Sequence, residues 1–202
     1  MCGFIYTYKE GKDDAALLKI ANRALSRIFH RGPDDEGLWC NSPCVIGHRR
    51  LSIIDIGGSR QPMLDPAKRY ILAYNGEVYN FKELRETLKS RWDFHTQGDT
   101  EVVLAGLIIH GESFLQRMEG MWALSLWDND KKLLLLTRDR MGKKPLYYQQ
   151  GNGEFACASE LGALSCLSFD TWSEDYNSTA DYLRYGFYLP GTTDKSRLQG
   201  IN

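Results

Sequence analysis

Apolar residues along the chain alternate between the spacing of strands and the spacing of helices. Residues 2–8 are rich in aromatic and β-branched side chains, which predicts a first strand. Residues 14–29 carry apolar side chains at helical intervals, which predicts an amphipathic helix. Gly and Pro in the following segment, 30–35, end that helix. In this loop we expect Arg31 and Asp34 to form an ion pair, with closure over a substrate as the alternative.

The later periodic segments predict further strands and helices joined by short polar turns. The predicted strands cover residues 37–40, 45–51, 121–127, 133–137, 146–149 and 154–159, and the predicted helices cover residues 81–89, 100–110 and 114–118. The stretches 121–127 and 133–137 are almost entirely apolar. We therefore expect both of these strands to be central in a sheet and covered on both faces.

Asn75-Gly76 is the strongest turn signal in the chain. It lies between the strand-like stretches 70–74 and 78–79, and Asn-Gly readily adopts the positive φ angles of a type I′ turn. This pattern predicts a tight β-hairpin with Asn75 and Gly76 at its tip. Most other predicted strands are also joined by turns too short for a parallel crossover. The order of elements therefore predicts an α+β fold, a layered sandwich of mainly antiparallel sheets.

Composition indicates an ordinary globular protein. The 202 residues are 43% hydrophobic and 25% charged, which suits one large domain with its own core. Lys and Arg (25) balance Asp and Glu (26), so the net charge of −1 favours neither nucleic acid nor an anionic membrane as a partner. The five cysteines form no CxxC pair, the four histidines lack zinc-site spacing, and no apolar stretch has the length of a membrane span. We therefore expect no metal site, no disulfide framework and a cytoplasmic location.

Cys2 carries the chemistry on which the functional hypothesis depends. Cells routinely remove an initial methionine when the next side chain is small, and removal of Met1 would leave Cys2 with a free α-amine. The thiol has an ordinary pKa of about 8.5 and the amine one of about 7.7–8. The amine can therefore take the thiol proton and return it to a leaving group. An inert thiol at the start of a strand is the alternative.

A cysteine that attacks a carboxamide needs donors for the oxyanion, a cation for a substrate carboxylate and an anion for a substrate ammonium group. Asn75 and Gly76 can supply the donors, although a hairpin turn explains the same pair. Arg50 can clamp a carboxylate through two parallel hydrogen bonds, or it can be solvated or paired with Asp55. Asp99 can accept from an ammonium group, or it can cap the helix that follows.

Nine blocks of sequence together make a family recognisable. They are MCG at 1–3, HRGPD at 30–34, RLSIID at 50–55, QP at 61–62, NGEVYN at 75–80, GDTE at 98–101, EGMWALSLWD at 119–128, TRDRMGKKPLYY at 137–148 and ASE at 158–160. The chain resembles the glutaminase domain of class II glutamine amidotransferases, most closely the asparagine synthetase branch. The blocks follow the family order across residues 2–165.

The resemblance implies a four-layer αββα sandwich of the N-terminal-nucleophile hydrolase type. It also implies hydrolysis of L-glutamine to glutamate and ammonia through a thioester on Cys2. By position, Arg50 would hold the carboxylate of glutamine and Asp99 its ammonium group, while Asn75 and Gly76 would form the oxyanion hole. Further pocket contacts are implied at Leu51, Ile53, Ile54 and Glu77.

Two residues depart from the usual family pattern, Trp122 and Lys143, and we expect neither to touch the chemistry. A larger difference is that such synthetases continue into an ATP-using domain with a Ser-Gly-Gly-x-Asp-Ser loop, which this sequence lacks. We therefore divide the chain into a glutaminase domain, 1–165, and an extension toward the absent synthetase domain, 166–202. We expect either a truncation at the domain boundary or a free-standing subunit, and the tail, which has nothing to pack on, favours truncation.

The resemblance implies no cofactor for the glutaminase half, with ATP and Mg²⁺ expected only for the absent synthetase domain. The implied partners are L-glutamine and an ammonia-accepting synthetase domain or subunit, and a homodimer is left open. Two other functions stay open, a non-catalytic glutamine-binding or scaffolding domain and an N-terminal-nucleophile amidase for another amide. The presence of the nucleophile with its four supporting residues favours the glutaminase.

Overall fold

The computed structural model describes residues 1–168, 172–189 and 192–193, and the backbone of 199–200. Its strands are β1 (Gly3–Tyr8), β2 (Asp35–Asn41), β3 (Cys44–Arg50), β4 (Met63–Leu64), β5 (Tyr70–Val78), β6 (Gly120–Asp128), β7 (Leu133–Arg138), β8 (Tyr147–Gly151), β9 (Glu154–Ala158) and β10 (Gln199–Gly200). Its α-helices are α1 (Asp14–Arg27), α2 (Phe81–Leu88), α3 (Asp99–His110), α4 (Leu161–Leu167) and α5 (Tyr176–Tyr185). Two 3₁₀ segments cover Phe29–Arg31 and Gly111–Arg117.

The strands form two antiparallel sheets that pack face to face. The first sheet has the order β10-β8-β9-β1-β3-β2 and the second the order β4-β5-β6-β7. Helices α1 and α4 cover the outer face of the first sheet, and α2 and α3 cover that of the second. The inner faces share a third core that includes Phe4, Tyr6, Ile46, Ile71 and Ala73. The four-layer αββα sandwich is therefore confirmed.

Helix α1 forms where the apolar spacing predicts it. The carboxylate of Asp13 accepts from the amide of Ala16 at 2.8 Å and caps the first turn. Leu17 and Leu25 are fully buried on the face that packs on the first sheet. The helix ends at Arg27, two residues before the predicted end, because the chain tightens there into a 3₁₀ segment.

The predicted hairpin at Asn75-Gly76 is wrong. Both residues lie inside β5, a continuous strand of nine residues that pairs with β6 along its whole length. Gly76 faces Trp122, and a Cβ on Gly76 would lie 2.5 Å from the carbonyl oxygen of Met121. Glycine is therefore required here for close approach of two strands rather than for a turn. Nine tertiary pairings outweigh a two-residue propensity.

The expectation of two central strands is confirmed for β6 and wrong for β7. Strand β6 lies between β5 and β7, whereas β7 forms an edge of the second sheet. Leu134 and Leu136 pack on the core between the sheets, and Leu135 packs on the opposite core. An apolar run indicates that both faces of a strand are covered. It carries no information about whether both edges are paired.

The C-terminal extension is described only in part. Helix α5 begins after Asp175, whose carboxylate accepts from the amides of Asn177 and Ser178, and it ends at Tyr185, where Gly186 caps it with φ of +80°. The final residues, 201–202, lie outside the described residues. Within the described ranges, no helix is long and apolar enough to cross a membrane.

Candidate active site

A cavity of about 330 Å³ is lined by residues from both sheets and the loops around them. Its volume lies at the lower end of the range for small-molecule sites. The cavity brings together every predicted site residue, namely Cys2, Arg50, Leu51, Ile53, Ile54, Asn75, Gly76, Glu77 and Asp99. Sequence reasoning missed other residues of its lining, namely Met1, Ser59, Gln61, Tyr74, Thr100, Met121, Lys143 and Lys144.

Cys2 is held at the start of β1 by contacts on its main chain and on its thiol. Its sulfur lies 3.4 Å from the amide nitrogen of Leu51 and 3.6 Å from the carbonyl oxygen of the same residue. Its carbonyl oxygen accepts from Nε of Arg31 at 2.8 Å, and Nη1 of Arg31 reaches Glu160 at 2.9 Å. The predicted Arg31–Asp34 ion pair is therefore wrong. Asp34 instead accepts from the amide of Ser52 at 2.8 Å.

The main-chain N–H of Gly76 points away from β6. The amide and the carbonyl oxygen of Trp122, which pairs with Gly76, both bond to Asp139 instead. The Gly76–Trp122 pair is thus a non-hydrogen-bonded pair of the ladder. Two residues away on either side along the same edge of β5, Tyr74 bonds to Gln61 and Val78 donates to Asp99. The N–H of Gly76 therefore lies between two main-chain positions that already have hydrogen-bond partners. This part of the strand edge lines the cavity.

The side-chain amide of Asn75 supplies a second donor to the cavity. Asn75 is 1% exposed, and its Nδ2 has no hydrogen-bond partner among the described residues. A buried donor without an acceptor carries a desolvation cost that a ligand oxygen would remove. Asn75 and Gly76 thus provide two N–H groups of different origin at one end of the site.

Arg50 is a buried cation whose described hydrogen bonds reach only carbonyl oxygens. It is 5% exposed and donates to the carbonyl oxygens of Ile54, Asp55 and Ile56 at 3.2, 2.7 and 2.9 Å. No carboxylate of the described residues forms an ion pair with it, and the Asp55 carboxylate accepts from the amide of Gln97 instead. Both Nη2 hydrogens are used by the loop, so a two-bond carboxylate clamp requires one of these bonds to be exchanged.

Asp99 is the first residue of α3, and Gly98 occupies the capping position. The sequence alternative of an N-cap at Asp99 is therefore wrong. Its Oδ2 accepts from the hydroxyl of Tyr74 at 2.8 Å and from the amide of Val78 at 3.0 Å. Burial is the largest influence on the Asp99 carboxyl and raises its pKa, with a smaller contribution from the negative charge of Glu77.

The segment after β7 is a part of the wall that the sequence reasoning did not identify. Lys143 lines the cavity, and the expectation that it does not touch the chemistry stays a prediction. The carboxylate of Asp139 holds this segment by accepting from the amides of Met141, Lys143 and Lys144 at 3.0–3.1 Å. Burial alone would raise the pKa of Asp139, but these amide bonds lower it. The turn-forming Asp-x-x-Gly pattern at 139–142 was the available signal.

Comparison with known proteins agrees with this geometry. A family model described as a glutamine amidotransferase domain matches residues 1–200. Asparagine synthetase B [glutamine-hydrolyzing] of Escherichia coli (strain K12) is 35% identical over 215 residues, which cover 98% of this chain and 38% of the relative. Asparagine synthetase [glutamine-hydrolyzing] 1 of Bacillus subtilis (strain 168) is 35% identical over 201 residues, which cover 96% of this chain and 31% of the relative. The chain thus spans about a third of the length of these relatives.

A solved structure supports the fold. The glutamine phosphoribosylpyrophosphate amidotransferase of B. subtilis, complexed with ADP and GMP, superposes with a TM-score of 0.66 over 82% of this chain and 43% of that chain. The two chains share 20% sequence identity. The same arrangement of two sheets and flanking helices is therefore common to both.

Proposed function

The chain belongs to the glutamine amidotransferase domain family, and from this premise we propose that it hydrolyses L-glutamine to glutamate and ammonia, with Cys2 as the nucleophile. We propose that residues 1–165 form the glutaminase domain and that residues 166–202 lead toward an ammonia-accepting partner. This partner would be a synthetase domain or subunit, with ATP and Mg²⁺ used there. A homodimer stays open.

One observation carries the proposal, which is the set of buried polar and charged groups that line the cavity with Cys2. Among the described residues, the side-chain N–H of Asn75 has no acceptor, and neither the buried cation Arg50 nor the buried anion Asp99 forms an ion pair. Buried charges are normally paired, so these two predict a ligand that carries one charge of each sign. A free α-amino acid with a side-chain carboxamide matches the charges and the donor together.

The proposed reaction has two steps. After removal of Met1, the α-amine of Cys2 takes the thiol proton, and the sulfur attacks the carboxamide carbon of glutamine. The resulting oxyanion is held by the N–H groups of Asn75 and Gly76. The C–N bond breaks, and the protonated amine returns the proton to the nitrogen, which leaves as ammonia. Water then attacks the thioester carbon, releases glutamate and restores the thiol, so the half-reaction needs no cofactor.

The test is the intact mass of the protein after incubation with 6-diazo-5-oxo-norleucine, a glutamine mimic that alkylates the nucleophile. We expect loss of one methionine and gain of one adduct, and no adduct in Cys2→Ala. Cys40→Ala is the matched control and should be labelled like the wild type. Burial raises the pKa of the Cys40 thiol to about 11, which disfavours its thiolate. If Met1 is retained, a cleavable fusion that exposes Cys2 as the first residue allows the same measurement.

Glutamate release is then measured with the same proteins. Release by the wild type and none by Cys2→Ala is the expected result. Equal release by both, or an adduct on Cys2→Ala, contradicts the assignment of the nucleophile. Glutamine binding without glutamate release would favour the non-catalytic alternative, and release of ammonia only from other amides would favour the other amidase.

A further inference from the structure

Tyr74 connects the donor end of the cavity with the carboxylate end. Its amide donates to Oε1 of Gln61 at 2.6 Å, and its carbonyl oxygen accepts from Nε2 of Gln61 at 3.0 Å. Nε2 of His48 lies 3.0 Å from the same carbonyl oxygen. Because a carbonyl only accepts, this nitrogen carries the proton, and burial lowers the pKa of His48 to about 4. The main chain beside Asn75 is thus fixed by two neutral side chains.

The hydroxyl of Tyr74 reaches the opposite end of the same site. It donates to Oδ2 of Asp99 at 2.8 Å, and the amide of Val78 donates to the same oxygen at 3.0 Å. No other described residue donates to Oδ1. Tyr74 is 2% exposed and Asp99 6% exposed, so both lie largely out of solvent. Two donors on one oxygen leave the other oxygen for a ligand.

We propose that Tyr74 is a positioning residue for the α-ammonium group of the substrate. Its hydroxyl holds the carboxylate of Asp99 ionised and oriented toward the cavity. This inference rests on the proposed glutaminase function and deepens it. A neutral donor suits this role because it stabilises a carboxylate without cancelling its charge. A lysine or arginine in the same position would pair with Asp99 and compete with the substrate.

We expect the hydroxyl of Tyr74 to have a measurable effect on the pKa of Asp99, alongside the other groups around this carboxyl. Burial raises the pKa of the carboxyl most, the bonds from Val78 and Tyr74 lower it, and Glu77 raises it further. Loss of the hydroxyl therefore moves protonation of Asp99 to higher pH. The other titratable or charged residues that line the cavity are Cys2, Arg50, Lys143 and Lys144.

Tyr74→Phe tests the proposal because it removes one oxygen and keeps the buried ring. We expect KM for glutamine to rise about tenfold or more at neutral pH, the scale of a lost hydrogen bond to a charged group, with a smaller change in kcat. The rise in KM on acidification should begin at a higher pH than in the wild type. Tyr6→Phe removes the hydroxyl of another buried tyrosine, 1% exposed and outside the cavity, and should change neither quantity.

Glutaramic acid, which is glutamine without its α-amine, separates positioning from general damage. Its inhibition constant against glutamine hydrolysis should be the same in wild type and Tyr74→Phe, since it has no ammonium group for Asp99 to bind. An equal loss for glutamine and glutaramic acid, or an unchanged KM and pH profile, overturns the proposal. If the wild type releases no glutamate, the proposed function fails by itself. Calorimetric Kd values of glutamine against pH then decide the role of Tyr74 on the same criteria.

Discussion

At the scale of residues, the cavity contains two buried charges that form no ion pair with any described residue. Arg50 and Asp99 are 5% and 6% exposed, and neither forms an ion pair within the described residues. In the part of the chain that the structure describes, Arg50 donates to carbonyl oxygens, and Asp99 accepts from a hydroxyl and a main-chain amide. Such charges destabilise the free protein and stabilise the complex with a zwitterion.

Asp99→Asn is expected to separate binding from stability. The loss of the anion should weaken glutamine binding by about 2–5 kcal/mol, because the substrate ammonium group would be buried unpaired. The raised pKa of Asp99 means that the folded state binds this proton more tightly than the unfolded state does, so the contribution of the carboxyl to stability is present at low pH and is lost as the pH rises through the folded pKa. The ligand-free variant should therefore melt at a higher temperature than the wild type at neutral pH.

Thermal melts between acidic and neutral pH, with and without glutamine, check this expectation. The wild type should gain stability on acidification where Asp99 takes up its proton, and the variant should lack that gain. A lower melting temperature for the ligand-free variant at neutral pH, or unchanged glutamine stabilisation, would contradict the assignment of Asp99 as the ammonium partner.

At the scale of elements, strand β5 positions Asn75 and Gly76, which the sequence reasoning placed in a turn. Its pairing with β6 fixes Asn75 and Gly76 in extended conformation and directs the Gly76 N–H to the free edge. Strand β4 is only two residues long and pairs no further than Leu72. Gln61 continues the pairing at Tyr74, and the edge then opens at Gly76. A short neighbouring strand is thus what leaves room for a ligand.

Gly76→Ala is expected to damage both the fold and the site. The new Cβ would lie 2.5–2.8 Å from main-chain atoms of Met121 and Trp122, which cannot move without disturbing the ladder. Overpacking of this kind costs about 1–3 kcal/mol. A displacement of the Gly76 N–H of about 1 Å should also lower kcat by about 100-fold. Urea unfolding and glutamate release measure the two effects.

Gly162→Ala is the matched control for that substitution. Gly162 lies in α4, and, apart from its chain neighbours and the backbone of its own helix, no described atom lies within 4 Å of the position its Cβ would take. Alanine in a helix is better than glycine by up to about 1 kcal/mol, so this variant should be as stable as the wild type or more so. If Gly76→Ala behaved like Gly162→Ala, the close approach of β5 to β6 would not be the reason for the glycine.

The elements that sequence predicted correctly are those whose signal is local. The periodicity of α1 and α3 and the apolar run of β6 depend on residues close in the chain, and the structure confirms all three. The hairpin failed because Asn75-Gly76 has a strong local preference that pairing with a distant strand overrides. The place of Lys143 in the wall was missed because the Asp-x-x-Gly pattern indicates a turn but does not show that Asp139 bonds back to Trp122 on the sheet.

At the scale of the whole molecule, the site exists because two sheets pack together. Arg50 ends β3 of the first sheet and Cys2 directly precedes β1 of the same sheet, whereas Asn75 and Gly76 come from the second sheet. The core between the sheets sets their separation, and His48 on β3 bonds across it to the carbonyl oxygen of Tyr74. The proposed nucleophile and the proposed oxyanion donors are therefore aligned by sheet packing rather than by a local loop. Residues outside the cavity that connect the end of a sheet to Cys2 should therefore affect the reactivity of the Cys2 thiol.

Arg31→Lys tests this view of the assembly. Arg31 is 7% exposed and joins the carbonyl oxygen of Cys2 to Glu160, which follows β9. Lysine offers no planar fork to reach both acceptors at once, so we expect a loss of about 1–3 kcal/mol in unfolding free energy. Labelling of Cys2 by 6-diazo-5-oxo-norleucine should slow as well. Arg27→Lys, at an exposed position of α1, should change neither measurement.

The decrease of the unfolding free energy at acidic pH tests whether the Arg31–Glu160 ion pair causes the loss of stability. Burial alone would raise the pKa of Glu160, but Arg31 and His30 lower it below its ordinary value. A lowered carboxylate pKa contributes stability above the unfolded pKa, and this contribution disappears as the pH falls through the folded pKa. Glu160→Gln should flatten that decrease and Arg31→Lys should flatten it in part, since lysine keeps its charge, but only Arg31→Lys also weakens the bond to Cys2. Equal labelling rates in Arg31→Lys and the wild type would show that Cys2 is positioned without Arg31.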